Sequence, residues 1–155
     1  MNIREANISD LDGLITLYNQ LIKYQKLTNN HSIKETFNNI INYPNYHIII
    51  AEENRKIVAT CSIIILPNLT HYQRPYAVIE NVVTDEKFRH MGYATALLNH
   101  AKKISIDNNC HKILVQTRSK KHETLNFYIN NGFSKNETTG FQINFEEIEN
   151  NEQVD

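Results

Sequence analysis

The sequence predicts one α/β domain, built on a mixed, mostly antiparallel sheet with one parallel β-α-β crossover and flanking helices. Two β-branched runs, residues 46–51 and 56–66, are joined by a short polar link, which is typical of an antiparallel hairpin. A strand, a helix and a second strand follow between residues 76 and 117. The length of 155 residues fits a single domain.

The N-terminal part predicts a short strand, residues 2–6, and then two helices. Ser9 with Asp12, and Ser32 with Glu35, have the spacing of a capping box, so we expect each pair to begin a helix. The apolar stripe of the first helix consists of Leu11, Leu14, Ile15, Tyr18, Leu21 and Ile22. The second helix, which must end before a proline, has the apolar residues Phe37, Ile40 and Ile41.

A loop over residues 67–75 separates the hairpin from the next strand, Tyr76–Thr84. Four of its polar and aromatic side chains could border a pocket: His71, Tyr72, Gln73 and Arg74. The following helix begins near Gly92, and its inner stripe is Ala94, Leu97, Leu98, Ala101 and Ile104. Because this helix lies between two strands, the second strand, within residues 111–117, should run parallel to the first through a right-handed crossover.

The C-terminal part predicts a short helix over residues 123–131 that ends at Gly132 as a C-cap, with Phe133 packed back on the helix. A final hairpin is expected from residues 133–135 and 141–145. The domain should therefore cover residues 1–146, and residues 147–155 should form a polar, frayed tail.

Composition limits the function classes. A net charge of −1 gives no general attraction to nucleic acid or to a membrane surface. No apolar run approaches the length of a membrane span, and charged residues near the N-terminus argue against a signal peptide, so we expect a cytoplasmic protein. Cys61 and Cys110 lie in or beside apolar runs and should be buried thiols. No histidines have the spacing of metal ligands, so no metal is expected.

A turn between the strand and the helix is the first candidate for a binding site. The segment Arg89-His90-Met91-Gly92-Tyr93-Ala94 opens a helix, and the unpaired backbone N–H groups of a helix N-terminus attract phosphate. Gly92 would let the backbone approach a ligand, and Arg89 adds a positive charge. The alternative is that Gly92 only begins a helix.

The order of these elements resembles the GNAT superfamily of N-acetyltransferases. The resemblance covers most of the chain. It is strongest from the strand segment Ile79-Glu80-Asn81-Val82-Val83-Thr84, through the Arg-x-x-Gly-x-Ala turn, to the segment Asn126-Phe127-Tyr128 followed by Gly132-Phe133. The Ile-Glu-Asn-Val-Val segment and Cys110-His111-Lys112 also resemble the small-amine branch that includes glucosamine-phosphate acetyltransferases.

This resemblance implies a transferase that uses acetyl-CoA as its co-substrate. Val82, Val83 and Thr84 would offer backbone groups to the pantetheine arm, and Tyr128 would protonate the departing thiolate. The pyrophosphate would lie on the turn formed by Arg89, His90, Met91, Gly92, Tyr93, Ala94 and Thr95. The sequence departs from the family at two places. His90 replaces the usual Gly or Arg, and Lys121 stands where many members have Asn; Lys121 is either a solvated residue at a helix start or a phosphate contact.

Glu80 is a candidate general base on its own chemistry. An alkyl ammonium has a pKa of about 10.4, so forming the free amine at neutral pH costs about 4–5 kcal/mol, which a positioned base can offset. Glu80 alternates with Val78 and Val82 on the predicted strand, an apolar setting that would raise a carboxylate pKa. It could act directly or through water, or it could be a structural carboxylate. Asn81 on the opposite face is expected to be a structural hydrogen-bonding residue.

We therefore predict an N-acetyltransferase that acts on the primary amine of a small molecule. A protein N-terminus or lysine is an alternative acceptor. A non-catalytic acyl-CoA-binding sensor is an alternative from another class. A Rossmann-type nucleotide module is disfavoured, because the chain lacks a full Gly-x-Gly-x-x-Gly motif. Neither nucleic acid nor a membrane is expected as a partner, and the predicted terminal hairpin could supply the edge of a homodimer.

Overall fold

The computed structural model describes residues 1–22, 25–135, 137 and 139–145. The chain divides into two compact units, Met1–Arg118 and Ser119–Asp155. The strands are β1 (Asn2–Glu5), β2 (Tyr46–Glu53), β3 (Lys56–Leu66), β4 (Tyr76–Thr84) and β5 (Ile113–Val115). The helices are α1 (Leu11–Leu21), α2 (His31–Ile41), α3 (Thr70–Gln73, a single turn), α4 (Tyr93–Asp107) and α5 (His122–Asn130).

The first unit contains a five-stranded sheet with the strands in sequence order. Strands β1 to β4 pair antiparallel, and β4 pairs with β5 in parallel, with α4 in the connection. This confirms the predicted mixed sheet with one parallel crossover. The sheet also excludes the all-parallel arrangement of a Rossmann module for this unit.

The β2–β3 hairpin turns through Asn54 and Arg55, which have φ of 49° and 62°. Positive φ at both central residues gives the twist that a two-residue hairpin needs, and Asn accepts it readily. The hairpin is thus tighter than the four-residue link expected from the sequence. Its central residues, which include Ile49, Ile50 and Ile63, are fully buried.

Helices α1 and α2 pack on the sheet and form one apolar cluster with β2. Its buried members are Leu11, Leu14, Phe37, Ile48 and Ile50. A Cβ built at Gly13 would lie 2.8 Å from Ile57 Cδ1, so the absence of a side chain lets α1 approach β3 closely. The stripe predicted for α1 is shifted, because Leu17 is fully buried whereas Leu21 is 43% exposed. The helix ends at Leu21, and Ile22, the last residue of the predicted stripe, has extended backbone with φ of −100° and ψ of 124°.

Both predicted N-caps are wrong by two residues. Asn7 caps the short 3-10 turn Ile8–Asp10 that leads into α1: its side chain accepts from Ser9 N at 2.9 Å, and Asp10 accepts from Asn7 N at 2.7 Å. Asn30 caps α2 by accepting from Ile33 N at 3.0 Å. Asn is as good an N-cap as Ser, so in both places the earlier residue begins the helix.

Two other elements differ from the prediction. Within the predicted loop, His71, Tyr72 and Gln73 form a left-handed turn with φ of 53°, 59° and 57°. Strand β5 covers only Ile113–Val115, because residues 116–118 are exposed and pair with no strand among the described residues.

The second unit contains α5. Gly132 follows the helix with φ of 84°, Gly132 N donates to Ile129 O at 2.9 Å, and Phe133 N donates to Tyr128 O at 3.1 Å. This confirms the predicted glycine end of the helix and the return of Phe133. The predicted terminal hairpin is wrong for the described residues, which carry no strand between 133 and 145. Its apolar side chains gain no burial, since Phe141, Ile143 and Phe145 are 73–93% exposed.

The predicted tail, residues 147–155, lies outside the described residues. Among the helices that the structure describes, none has the length and apolarity to cross a membrane.

Candidate active site

A β-bulge interrupts β4 immediately after Glu80. Ser62 of β3 pairs with Glu80, whereas Thr60 pairs with Val83, so two residues of β4 lie opposite one residue of β3. Asn81 takes the extra position with φ of 54°. Asn tolerates this left-handed conformation better than most residues, and Asn81 Nδ2 lies 3.5 Å from Ser62 Oγ. The bulge therefore changes the direction of the strand at the residue after the candidate base.

On the other edge of β4, pairing with the described strands ends at Ile79. The parallel ladder joins Ala77, Val78 and Ile79 to β5 and then stops. From Glu80 to Thr84, no described strand continues it on that side. Val82, Val83 and Thr84 therefore present a strand edge that has no described strand as its partner. An extended chain with amide groups can pair with such an edge.

The turn after β4 combines residues of positive φ with the N-terminus of a helix. A short 3-10 turn, Glu86–Phe88, leads to Arg89 with φ of −66° and ψ of 156°. His90 and Gly92 then have φ of 62° and 86°. The first helical bond of α4 runs from Ala96 N to Gly92 O at 3.0 Å, so the amides of Tyr93, Ala94 and Thr95 precede the helical ladder. Their N–H groups are thus oriented at the start of a 15-residue helix.

The space above this turn is open. A Cβ built at Gly92 would have no atom within 4 Å, although its φ of 86° would be strained for any other residue. Arg89 is exposed, and its Nη2 lies 3.6 Å from Glu86 Oε1, a weak pair that leaves the guanidinium accessible. Met91 is 58% exposed beside it. The glycine conformation, the N–H groups and the arginine charge together fit a pyrophosphate.

Tyr93 differs from the rest of the turn because its side chain is buried. It is 4% exposed, packs edge to face on Phe88 with the ring centroids 5.9 Å apart, and donates to Glu53 Oε2 at 3.1 Å. Burial, then the Glu53 carboxylate, raises the pKa of the Tyr93 hydroxyl. Only its backbone can serve the predicted phosphate contact. The sequence signal was its place in the spacing Tyr93, Leu97, Ala101, Ser105, all of which are buried.

The apolar surroundings expected for Glu80 are absent. Its side chain is exposed on the less buried face of β4, and the pairing of β4 with β5 stops one residue before it, at Ile79. Nearby on β3, the Ser62 and Thr60 hydroxyls are buried beneath Tyr18 of α1. Burial raises the pKa of Tyr18 to about 12, against a smaller opposing effect of these two hydroxyls. Glu80 thus lies at the edge of a polar region rather than in an apolar one.

Tyr128 lies on α5 in the second unit and is half-buried. Its ring contacts Phe127 at 5.1 Å and Phe133 at 5.9 Å between centroids, both edge to face. Aromatic packing of this kind fixes the ring direction. Lys121 is exposed at the N-cap position of the same helix, as expected for a solvated residue at a helix start.

The remaining titratable residues predicted from the sequence lie elsewhere. His71 stacks on His111 with centroids 4.0 Å apart, at the start of β4 and β5. Cys61 is fully buried, and burial raises its pKa to about 12, whereas Cys110 is half-buried. In the part of the chain that the structure describes, no group of three or more His, Cys, Asp or Glu could hold a metal ion.

Comparisons with known proteins identify the family. A family model described as "Acetyltransferase (GNAT) family" matches residues 14–133. Glucosamine 6-phosphate N-acetyltransferase of Trypanosoma brucei brucei is 33% identical over 82 residues, 53% of this chain and 54% of that protein. The match thus spans about half the length of this curated relative.

Solved structures extend the similarity to nearly the whole chain. A candidate acetyltransferase of Agrobacterium tumefaciens str. C58 has a TM-score of 0.88 at 39% identity, covering 93% of this chain and 99% of that one. A transcriptional regulator of Bacillus halodurans C-125 has a TM-score of 0.82 at 27% identity, covering 93% and 99%. Glucosamine-6-phosphate N-acetyltransferase of Arabidopsis thaliana has a TM-score of 0.78 at 25% identity, covering 92% and 97%. Since the family model matches most of the sequence and the sheet agrees with these structures, the chain belongs to the GNAT family of acetyltransferases.

Proposed function

We propose that this chain is an N-acetyltransferase that moves an acetyl group from acetyl-CoA, the usual co-substrate of the family, to the primary amine of a small molecule. One observation carries the proposal: the free, bulged end of β4 leads within a few residues to the open turn at Gly92. The first can pair with an amide-bearing arm, and the second can bind a pyrophosphate. Coenzyme A contains both parts in sequence, because its amide-bearing pantetheine arm is joined directly to its pyrophosphate.

The thioester supplies an activated acetyl group, and the chain's residues handle the protons. Glu80 accepts a proton from the incoming ammonium, directly or through water, and its exposure leaves it accessible to an amine. Backbone N–H groups near Val82 and Val83 donate to the carbonyl oxygen as negative charge develops there. The nitrogen–carbon bond forms, the carbon–sulfur bond breaks, and the Tyr128 hydroxyl gives its proton to the sulfur. The nitrogen loses its second proton to solvent as the amide forms, solvent reprotonates the tyrosinate, and Glu80 releases its proton. The part assigned to Tyr128 rests on the sequence motif.

The acceptor is proposed to be a small polar amine. The curated relative acts on glucosamine 6-phosphate by its name, so amino sugar phosphates are the first class to test. Because this chain matches about half of that relative's length, the proposal names a class of acceptor and no particular compound. A single acetyltransferase domain over residues 1–146 and a cytoplasmic location stay predictions. So does a homodimer, although the hairpin expected to supply its edge is absent from the described residues.

An amine panel tests the proposal. The purified chain is given acetyl-CoA and, in turn, amino sugars and their phosphates, polyamines, amino acids and peptides, and release of free thiol is measured. Turnover with one small-amine class supports the proposal, whereas turnover with peptides alone moves the acceptor to protein. Silence across the panel, together with calorimetric binding of acetyl-CoA, would favour a sensor. A relative named as a transcriptional regulator makes that second candidate worth the same experiment.

The Tyr128→Phe variant tests the proposed role of the Tyr128 hydroxyl as the proton donor to the sulfur. Loss of the proton donor should reduce kcat about a hundredfold, while the Kd of acetyl-CoA stays near the wild-type value. Tyr43→Phe removes a hydroxyl from a tyrosine that is 60% exposed and serves as the matched control. An unchanged kcat in the Tyr128 variant would remove this residue from the mechanism.

A further inference from the structure

The tip of the β2–β3 hairpin contacts the residues on either side of segment 86–92, which connects β4 to α4. Glu53, the last residue of β2, accepts a hydrogen bond of 3.1 Å from the hydroxyl of Tyr93, the first residue of α4. Lys56, the first residue of β3, donates to Asp85 Oδ2 at 2.7 Å at the end of β4. Two residues beside the hairpin turn are thus bonded to the two residues that bracket segment 86–92.

Further contacts join these two into one group. Lys56 Nζ lies 5.3 Å from the centroid of the Phe88 ring, and Phe88 packs edge to face on Tyr93. Asp85 is buried, its N donates to Val58 O at 2.8 Å, and its side chain accepts from Lys87 N at 3.0 Å. We call Glu53, Lys56, Asp85, Phe88 and Tyr93 the hairpin-tip contacts.

We propose that Glu53 and Lys56 are positioning residues for the pyrophosphate of acetyl-CoA, because they fix the two ends of the turn whose backbone N–H groups bind it. This inference rests on the proposed function and concerns its cofactor site. Neither side chain needs to touch the ligand.

The physical reason is preorganisation. The turn contains two positive-φ residues, His90 and Gly92, and ordering loop residues costs conformational entropy. A turn that is ordered before binding spends less of the binding free energy on its own ordering. The charges agree with this arrangement, since Lys56 lowers the pKa of Asp85 and leaves it ionised at neutral pH. Glu53 Oε2 also accepts from the amino group of Met1 at 3.0 Å, so Tyr93 gives the cleaner substitution.

The experiment compares two acetyl donors. Acetyl-CoA contains the pyrophosphate, whereas S-acetyl-pantetheine ends before it, so a defect in positioning the turn should appear with the first donor alone. In Tyr93→Phe and in Lys56→Met, we expect the Kd of coenzyme A, measured by calorimetry, and the KM of acetyl-CoA to rise roughly tenfold. In Lys56→Met, kcat and the kcat/KM with S-acetyl-pantetheine should stay near wild type with the amine that the panel identifies.

Matched controls separate charge and hydroxyl removal from the role of the turn. Lys103→Met breaks an exposed ion pair with Asp107, whose N–O distance is 2.6 Å, and Tyr43→Phe removes an exposed hydroxyl. Neither variant should change the Kd of coenzyme A or the kinetic constants with either donor. Glu53→Gln keeps an oxygen acceptor for Tyr93 and should retain more coenzyme A affinity than Glu53→Ala. Both Glu53 variants lose the charge that pairs with Met1, so their difference reports on Tyr93.

Each outcome decides between the explanations. Equal losses with both donors, or a fall in kcat alone, would mean that these contacts only stabilise the fold and would overturn the inference. Unchanged coenzyme A affinity in a folded Lys56→Met variant would also overturn it, and this variant stays informative if Tyr93→Phe does not fold, because the Lys56 side chain is 51% exposed. If the wild-type chain itself binds no coenzyme A, the proposed function fails, which is a different result from variants that bind as well as wild type.

Discussion

The two halves of β4 belong to one strand but have opposite properties. From Ala77 to Ile79 the strand is paired on both edges, with β3 and with β5, and Ala77 and Ile79 are fully buried. From Glu80 to Thr84 the strand is bulged, one edge has no described partner, and Glu80 and Asn81 are exposed. The first half is saturated with internal contacts, whereas the second has backbone groups and a carboxylate available for a ligand.

The difference teaches where such a sheet can carry a site. A fully paired, buried strand has no free N–H or C=O group, so a ligand can gain nothing from it. Interrupting the ladder on one side frees those groups without unfolding the strand, because β3 still pairs with Thr84 through Ala59. Substitutions in the first half should therefore change stability, and those in the second half, or in the turn beyond it, should change binding and rate.

The largest effect is expected at the turn. Gly92→Glu would fill the open space, strain a residue with φ of 86° and repel phosphate, so calorimetry should detect no acetyl-CoA binding. Gly92→Ala should retain weakened binding, since its Cβ has room but its φ costs about 1–2 kcal/mol. Normal acetyl-CoA affinity in the Glu variant would contradict the phosphate assignment.

In the paired half, Ile79→Ala should lower the free energy of unfolding by about 2–5 kcal/mol, because Ile79 is fully buried between two strands. Urea unfolding followed by circular dichroism measures this loss. Ile106→Ala, at a side chain that is 76% exposed, should change stability by less than about 0.5 kcal/mol. A folded Ile79 variant should keep the wild-type Kd for acetyl-CoA, and a large change in that Kd would break the division between the halves.

In the free half, Glu80→Gln should lower kcat/KM for the amine about a hundredfold, or about 2.7 kcal/mol, with little change in stability or acetyl-CoA affinity. Because the amine loses its own proton at high pH, the variant rate should approach wild type as the pH rises toward 10. Glu35→Gln, at an exposed residue of α2, is the control. A wild-type rate at pH 7 would exclude Glu80 as the base.

The smallest effect is expected at the bulge. The free energy of unfolding of Asn81→Gly should be within about 0.5 kcal/mol of the wild-type value. Asn81→Ala should lose about 1 kcal/mol, because φ of 54° is unfavourable for a residue with a Cβ whose side chain makes no local hydrogen bond. Asn109 has the same φ of 54° outside the site, so Asn109→Ala should lose a similar free energy of unfolding and keep its turnover. Equal turnover in both Ala variants would show that the bulge geometry does not matter for the reaction.

Much of the site could be predicted because its signals are local. The turn at Gly92, the strand before it and the helix after it are contiguous, and periodicity with glycine chemistry identified all three. Glu80 was identified as a residue, but its surroundings were wrong, because its exposure depends on where β5 stops pairing. The contacts of Tyr93 with Glu53 and of Lys56 with Asp85 join residues 40 and 29 positions apart, and no local pattern predicts such pairs.

The sequence by itself determined the order of strands β1 to β5 and of helices α1, α2, α4 and α5, the β2–β3 hairpin and the parallel crossover. Hydrophobic periodicity and backbone preference are properties of neighbouring residues, so they can be read without the fold. Only the tertiary structure decided the Asn81 bulge, the free edge of Val82–Thr84 and the contact of Tyr93 with Glu53. The bulge and the free edge depend on the register between β3 and β4 and on the length of β5, and the contact depends on where the hairpin tip lies; all three are set when separate segments pack together.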